Sequence, residues 1–206
     1  MARLYAIVGS MERARLMLEA HVPYLQLRFK AQPLLPHREE IRDWIRRYPN
    51  TRMVINDDLE EAQAVGAWGV HLGQEDVRRY TPEQLRHARV QVGISTHNDE
   101  EIGHAWQLGA SLVGFGPIFA TSTKAMEHAP QGVERLRAVV ASAGLPVIAI
   151  GGITAENMGP VAATGVSLIA MISFLDRLTS VEDLRRLMAR MGHGMIPRGD
   201  AAEWED

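Results

Sequence analysis

Short apolar runs alternate with longer amphipathic runs along most of this chain. The apolar runs are nearly continuous rather than strictly alternating, which is typical of parallel β-strands that are buried on both faces. The pattern predicts eight strands, at residues 4–8, 24–29, 52–56, 69–72, 91–95, 112–116, 146–151 and 167–172.

The segments between these strands carry apolar residues at helical spacing. In residues 38–47, Ile41, Trp44 and Ile45 fall on one face at positions i, i+3 and i+4. Similar spacing predicts further helices at residues 59–67, 99–108, 133–143 and 181–191. Thr81 followed by Pro82 is typical of an N-cap residue with proline at the first helical position.

Regular alternation of strands and helices indicates parallel strands joined by right-handed crossovers. Eight such units close a barrel, whereas a doubly wound sheet usually has about five to seven strands. We therefore predict an α/β protein with a single (β/α)8 TIM barrel over residues 1–191. Residues 192–206 lack periodicity and are predicted to form an irregular tail.

Composition narrows the classes of function. The chain has 206 residues, 46% of them hydrophobic, which suits one globular domain. It has no cysteine, which excludes disulfides, thiolate metal sites and a cysteine nucleophile. The net charge of −3 argues against nucleic acid or an anionic membrane as partner, and no apolar run approaches the roughly 18 residues of a membrane span. Because the N-terminus also lacks the apolar region of a signal peptide, we expect a cytoplasmic protein that takes small molecules and is a monomer or a homo-oligomer.

Chemistry in this fold is carried by the C-terminal ends of the strands and the loops that follow them. At the end of the second strand, alternation directs Gln26, Arg28 and Lys30 to one side. Two cations and an amide at a barrel mouth suit a phosphate or diphosphate. The alternative is that these are solvated charges at a strand end.

Carboxylates follow the next two strands. The third predicted strand ends at Asn56, Asp57 and Asp58, and Asp76 follows the fourth. Asp57 and Asp76 are predicted to share one Mg²⁺, with phosphate oxygens and water completing its coordination. The alternative for Asp57 or Asp58 is to cap the following helix, and for Asp58 we favour this alternative.

Two polar residues lie within or at the end of the fourth and fifth strands. His71 lies inside a strand, and we expect a hydrogen-bonded core residue rather than a ligand. Ser95 can donate to a phosphate oxygen, and the alternative is a helix N-cap at Ser95 or Thr96.

The later strand ends are rich in hydroxyls and glycine. After the sixth strand, Thr121, Ser122, Thr123 and Lys124 lie on a long loop, which indicates a mobile anion-binding lid or an ordinary polar loop. The seventh strand ends in a glycine pair at residues 151–152, which allows a ligand to approach the backbone closely. The loops after strands seven and eight are a frequent phosphate site in such barrels.

Several of these segments together resemble one family. QLRFK, VINDD, AVGAWGVHLGQED, VGISTH, VGFGPIFATSTK and PVIAIGGITAENM run in order from Gln26 to Met158, and MISFL follows near Ser173. These motifs closely resemble the thiamine phosphate synthase family, and the resemblance covers roughly residues 4–190. It implies a Mg²⁺-dependent transferase that joins a hydroxymethylpyrimidine diphosphate to a hydroxyethylthiazole phosphate and releases pyrophosphate.

The resemblance also implies roles for individual residues, which fall into four groups. Arg28, Lys30, Asn56, Ser95 and Lys124 would grip the diphosphate; Asp57 and Asp76 would hold Mg²⁺; Gln26 would help to place the pyrimidine; Thr121, Thr123, Gly152, Ile172 and Ser173 would cradle the thiazole phosphate. Of these, Arg28, Lys30, Ser95 and Lys124 are the expected catalytic residues.

Three other functions remain open at this point. A thiazole tautomerase of the same superfamily would lose the metal carboxylates and place a histidine near the end of the sixth strand, where this chain has Gly116-Pro117 and only His128 nearby. A non-catalytic sensor of thiamine-pathway ligands would keep the thiazole-phosphate contacts alone. A barrel aldolase would need a Schiff-base lysine inside a strand, and neither Lys30 nor Lys124 lies there.

Overall fold

Eight parallel strands close into a barrel in the computed structural model, which describes residues 1–29, 34–121 and 129–192. Each strand pairs with the next one along the chain, and the last pairs with the first. The strands are β1 (Arg3–Val8), β2 (Tyr24–Leu27), β3 (Arg52–Asn56), β4 (Gly69–Leu72), β5 (Gln91–Thr96), β6 (Leu112–Phe115), β7 (Val147–Ala149) and β8 (Leu168–Met171). The predicted TIM barrel is therefore confirmed.

The helices lie outside the strands. They are α1 (Met11–Glu19), α2 (Arg38–Arg47), α3 (Leu59–Val65), α4 (Gln74–Val77), α5 (Pro82–Arg86), α6 (Asp99–Gln107), α7 (Gly132–Ser142), α8 (Met158–Ala162), α9 (Ser173–Asp176) and α10 (Val181–Gly192). Sequence reasoning missed α1, although it buries Ala14, Met17 and Leu18 at helical spacing. The last helix includes Gly192, the first residue of the predicted tail, and residues 193–206 lie outside the described residues.

Helix caps decide three sequence predictions, two of which had alternatives. Asp58 accepts a hydrogen bond from the backbone N–H of Glu61 at 2.8 Å, so it caps α3 as predicted. Thr81 forms a capping box at the start of α5, also as predicted. The N-cap of α6 is Asn98, so the alternative of an N-cap at Ser95 or Thr96 is wrong; both residues lie within β5.

Two strands, β2 and β7, end two residues earlier than the sequence predicted. β2 ends at Leu27 rather than at residue 29, because β1 ends at Val8, whose carbonyl accepts the last hydrogen bond, from the backbone of Arg28. β7 ends at Ala149 rather than at residue 151, because Gly151 has φ +104°, which is incompatible with an extended strand.

The barrel interior is apolar at its N-terminal end. Tyr5 and Tyr24 stack with their ring centroids 5.8 Å apart. The Arg52 guanidinium lies 5.2 Å from the centre of the Tyr24 ring and 5.1 Å from that of Trp68, which closes this end of the barrel with cation–π contacts. The polar inward-facing residues therefore lie nearer the C-terminal end.

In the described residues, no helix has both the length and the apolar character that a membrane span requires.

Gly116 is required by a close backbone contact between the ends of β6 and β7. A Cβ at Gly116 would lie 2.1 Å from the Ile150 carbonyl oxygen, which accepts a hydrogen bond from the Ile118 N–H at 2.9 Å. We therefore expect Gly116→Ala to lower the free energy of unfolding by about 2 kcal/mol or more, measured by urea denaturation. The matched control is Gly103→Ala, at an exposed helical position where a Cβ would meet nothing within 4 Å. This control should raise stability by roughly 0.5–1 kcal/mol. Equal effects of the two substitutions would contradict the assigned role of Gly116.

Candidate functional site

One cavity of about 610 Å³ lies at the C-terminal end of the barrel, and residues from every strand or the loop after it line it. It is lined by all the sequence-predicted site residues that the structure describes: Gln26, Arg28, Asn56, Asp57, Asp76, Ser95, Thr121, Gly152, Ile172 and Ser173. The remaining predicted site residues, Lys30, Thr123 and Lys124, lie outside the described residues. The structure thus brings the described candidates together in one place, as expected for strand ends in this fold.

A chain of hydrogen bonds runs from the deepest amide of the cavity to its rim. Gln26 is only 2% exposed, and its Nε2 donates to Asn56 Oδ1 at 2.5 Å. The Asn56 side chain is in turn hydrogen-bonded to the Asp57 carboxylate. Gln26 Oε1 has no hydrogen-bond partner among the described residues. A buried amide oxygen without a partner is costly unless a ligand or water donates to it, so this end of the cavity is prepared for a hydrogen-bond donor.

Tyr5 adds a second unpartnered polar atom to the lining of the cavity. Its side chain is 1% exposed, and its hydroxyl has no hydrogen-bond partner among the described residues. Burial raises the pKa of the Tyr5 phenol further above its usual value, so the hydroxyl stays neutral. Its ring edge faces His71, with the ring centroids 6.4 Å apart.

The Asp57 and Asp76 carboxylates both line the cavity and lie close enough to interact. Burial raises the pKa of the Asp57 carboxyl, and the negative charge of Asp76 and a hydrogen bond to it raise it further. Arg28 and the Asn56 hydrogen bond act in the opposite direction. Asp57 also has φ +64°, a left-handed conformation that costs free energy in a residue other than glycine. Its backbone N–H donates to the His71 carbonyl at 2.8 Å, which holds this conformation in place.

These two carboxylates fit a magnesium ion. Within the described ranges, no group of three or more histidine or acidic side chains could hold a metal ion on its own. Mg²⁺ in phosphate-binding sites commonly uses one or two carboxylates, with substrate phosphates and water filling the other positions. Two mutually repelling carboxylates are therefore a suitable donor set for Mg²⁺ that arrives with a phosphorylated ligand.

His71 is hydrogen-bonded, as the sequence predicted, but its side chain is only partly buried and lines the cavity rather than the core. Its Nε2 lies 3.0 Å from Ser95 Oγ, and burial lowers the pKa of His71 to about 4. The imidazole is therefore neutral at neutral pH. The Ser95 carbonyl accepts a hydrogen bond from Gln74 Nε2 at 2.6 Å, which ties the loop after β4 to the end of β5.

The opposite side of the cavity is formed by backbone rather than by charged side chains. Gly151 and Gly152 both have positive φ, at +104° and +64°. A Cβ at Gly152 would lie 2.4 Å from the Ala120 carbonyl oxygen, so the loop after β6 packs directly on this turn. The Gly152 carbonyl accepts from Asn157 Nδ2 at 2.9 Å, which fixes the turn. Such a rim lets a phosphate approach the main chain closely.

Sequence reasoning missed several polar residues of the cavity: Tyr5, Gln74, His97 and Glu101. For Tyr5 a signal existed, because Tyr5 and Ile7 alternate with Leu4, Ala6 and Val8 and so face the barrel interior. His97 and Glu101 are four residues apart, and His97 Nδ1 lies 2.8 Å from Glu101 Oε2. That spacing is also readable in the sequence, but nothing there shows that the pair faces the cavity.

Comparison with known proteins gives one consistent result. The model of the family described as thiamine monophosphate synthase matches residues 4–175. A thiamine-phosphate synthase of Citrobacter koseri is 39% identical, over 91% of this chain and 89% of its own. One of Neisseria meningitidis is 38% identical, over 87% of this chain and 89% of its own. Among solved structures, a thiamine phosphate pyrophosphorylase from Pyrococcus furiosus superposes with a TM-score of 0.73 at 30% identity, covering 92% of this chain and 96% of that one.

The electrostatics of the carboxylate pair predict how Asp57→Asn alters stability. Because the folded state raises the pKa of Asp57, it binds that proton more tightly than the unfolded chain does. Stability is therefore lost as pH rises from the unfolded value of about 4 through the folded value. In chelator and at neutral pH, we expect Asp57→Asn to raise the melting temperature by a few degrees, since asparagine also tolerates the left-handed conformation. The gain should shrink toward pH 4.

The control for this experiment is Asp58→Asn. It removes one carboxylate at the neighbouring position and keeps a side chain that caps α3. We expect no stabilisation of this variant at neutral pH. An Asp57→Asn protein no more stable than the parent would show that the carboxylate pair carries no such cost.

Proposed function

Because the chain belongs to the thiamine monophosphate synthase family and is thus a transferase of thiamine biosynthesis, we propose the specific reaction that its cavity carries out. It couples hydroxymethylpyrimidine diphosphate with hydroxyethylthiazole phosphate, giving thiamine phosphate and pyrophosphate in a Mg²⁺-dependent reaction. The observation that carries this proposal is the meeting of two interacting carboxylates and a glycine rim above an unpartnered buried amide oxygen, all in one cavity.

The pyrimidine occupies the deep end of the cavity. An aminopyrimidine presents N–H donors, and Gln26 Oε1 is a buried acceptor without a protein partner. Because the Gln26 amide is held by Asn56, its oxygen is oriented before the ligand arrives. The Tyr5 hydroxyl, also without a partner among the described residues, supplies a further polar contact there.

The diphosphate lies at the mouth, among the positive and hydroxyl groups. Arg28 lines the cavity close to Asp57, and Ser95 lies at the end of β5. Asn56 holds Asp57. By family resemblance, Asn56 also contacts the diphosphate, together with Lys30 and Lys124, which lie outside the described residues. Fixed donors and cations at this position stabilise the charge that develops on the leaving pyrophosphate.

Asp57 and Asp76 would hold Mg²⁺ at the same end of the cavity. When bound, the ion would supply positive charge to the pyrophosphate oxygens as they leave. Its arrival would also offset the repulsion between the two carboxylates, which otherwise raises the pKa of Asp57.

The thiazole phosphate takes the rim opposite the carboxylates. Gly152, Ile172, Ser173 and Thr121 line this rim, and Thr123 belongs to the same predicted group but lies beyond the described residues. Holding the thiazole here presents its ring nitrogen to the pyrimidine methylene.

The reaction is a substitution that proceeds by dissociation. The bond between the pyrimidine methylene carbon and the bridging oxygen breaks, its electron pair leaves with pyrophosphate, and the thiazole nitrogen then forms the new carbon–nitrogen bond. No side-chain nucleophile is required, because the second substrate supplies the attacking atom. The chain's own task is to orient both substrates, stabilise the departing charge and exclude water that would capture the cation.

The proposed reaction predicts that pyrophosphate release needs both substrates and Mg²⁺, together with formation of thiamine phosphate. Asp76→Asn should lower turnover by roughly 10²-fold or more and raise the Mg²⁺ concentration for half-maximal rate, because one of two metal ligands is weakened. Coupled pyrophosphate detection and chromatography of the product measure both quantities.

Asp58→Asn serves as the control in this assay, because Asp58 caps α3 and should leave turnover and Mg²⁺ dependence unchanged. If a folded protein binds thiazole phosphate yet releases no pyrophosphate, the synthase proposal is wrong, and tautomerase or sensor functions take its place. Full turnover in chelator would remove the metal from the proposal.

A further inference from the structure

We propose that His71 is a positioning residue that sets the direction of the Ser95 hydroxyl. His71 Nε2–H donates to Ser95 Oγ, so the hydroxyl proton of Ser95 turns into the cavity and donates to the diphosphate. This inference rests on the proposed function, since it takes Ser95 to be a diphosphate contact. It adds a residue that acts on the leaving group only through its neighbour.

The geometry connects the two side chains across adjacent strands. His71 pairs with Gly93 in the register of β4 and β5, and Ser95 follows two residues later on the same inner face. The distance between His71 Nε2 and Ser95 Oγ is 3.0 Å, which is a hydrogen bond.

The ring is seated against two glycines, which leaves little freedom for the imidazole. A Cβ at Gly93 would lie 2.7 Å from His71 Nδ1. A Cβ at Gly114 would lie 3.1 Å from Cε1 and 3.2 Å from Nε2. Alanine at residue 93 would therefore displace the ring, and alanine at residue 114 would crowd it. Two neighbouring strands thus provide the space that this one histidine occupies, and the Tyr5 ring edge lies nearby, with a centroid distance of 6.4 Å.

The hydrogen-bond partners of the two ring nitrogens favour one tautomer of His71. A neutral imidazole carries a single ring N–H, and Nδ1 is buried without a partner among the described residues. A proton on Nδ1 would leave a buried N–H unpaired, which folded proteins tolerate less often than an unpaired acceptor. With the proton on Nε2, the His71 ring donates to Ser95 Oγ instead.

With that tautomer, Ser95 Oγ accepts from His71 and keeps its own proton to donate, and among the described residues Ser95 Oγ has no other hydrogen bond. The Ser95 carbonyl is already bonded to Gln74 Nε2 at 2.6 Å, which fixes the backbone. The side chain lines the cavity, so an anion there is the natural acceptor. A hydrogen bond to an ionised oxygen is roughly twice as strong as one between neutral groups.

A double-mutant cycle with Ser95→Ala and His71→Leu tests the coupling. Because His71 acts through Ser95, we expect each single change to lower kcat for pyrophosphate release by about 10²-fold, as for loss of one donor to developing charge. The double variant should be no slower than the slower single variant, within about threefold. His71→Gln, which can still place an N–H near Ser95 Oγ, should recover most of the lost rate.

Binding of inorganic pyrophosphate with Mg²⁺, measured by calorimetry, gives a second readout that needs no turnover. Ser95→Ala and His71→Leu should weaken it by a similar factor, and His71→Gln should not. The matched control is His104→Gln, at an exposed position on α6, which should leave both rate and binding unchanged. Circular dichroism and melting temperature identify any variant that fails to fold. If His71→Leu fails to fold, the rate and the pyrophosphate affinity of His71→Gln test the proposal instead.

The outcomes separate this inference from the proposed function. If Ser95→Ala releases pyrophosphate at the parent rate, Ser95 is not a diphosphate contact, and that part of the proposed function fails first. If Ser95→Ala is slow but the effects of the two changes multiply, only the inference is overturned. A folded His71→Gln protein as slow as His71→Leu would overturn it as well.

Discussion

The register in which the neighbouring strands β2, β3, β4 and β5 pair determines which of their side chains point into the barrel. Asn56 pairs with His71, and His71 pairs with Gly93. Because alternate residues on a strand face the same side, Gln26, Asn56, His71 and Ser95 all face the interior near the C-terminal end. A slip of one residue in any of these strands would exchange its polar inner face for its apolar outer face. The apolar contacts outside the barrel therefore hold the polar cavity inside it.

The carboxylate pair shows that the cavity is not arranged for the stability of the empty protein. Asp57 is half-buried, lies close to Asp76 and has a left-handed backbone, each of which costs free energy. The buried Gln26 Oε1 and Tyr5 hydroxyl, which have no hydrogen-bond partner among the described residues, also lower the stability of the folded protein. Strain and unpaired polar groups collect where ligands bind, since a ligand can relieve both.

The architecture was readable from the sequence because every strand is a short, nearly continuous apolar run and most helices carry apolar residues at helical spacing. The candidate site was readable for a different reason: strand ends in a parallel barrel must meet, so polar residues there must share one cavity. The sequence does not show which side chains contact each other within the cavity. Nothing in the sequence shows that Asn56 bridges Gln26 and Asp57, or that His71 sits against Gly93 and Gly114.

Errors in the sequence reading have local causes. Ser95 and Thr96 resemble N-cap residues, yet β5 continues through them and the chain reaches Asn98 before α6 begins. Tyr5 was overlooked because its strand is apolar throughout, and only the alternation of the barrel wall distinguishes its inner residues from its outer ones. Both cases depend on where a strand ends or which way it faces, and tertiary pairing decides that.

We propose that Asp57 and Asp76 together hold a metal ion that contacts pyrophosphate in this cavity. The most direct measurement is an anomalous difference map from crystals grown with Mn²⁺, as a substitute for Mg²⁺, and pyrophosphate. We expect one strong peak between the two carboxylates, with pyrophosphate oxygens on the ion and within hydrogen-bond distance of Ser95 Oγ. A metal peak away from both carboxylates, or pyrophosphate bound outside the barrel mouth, would contradict it.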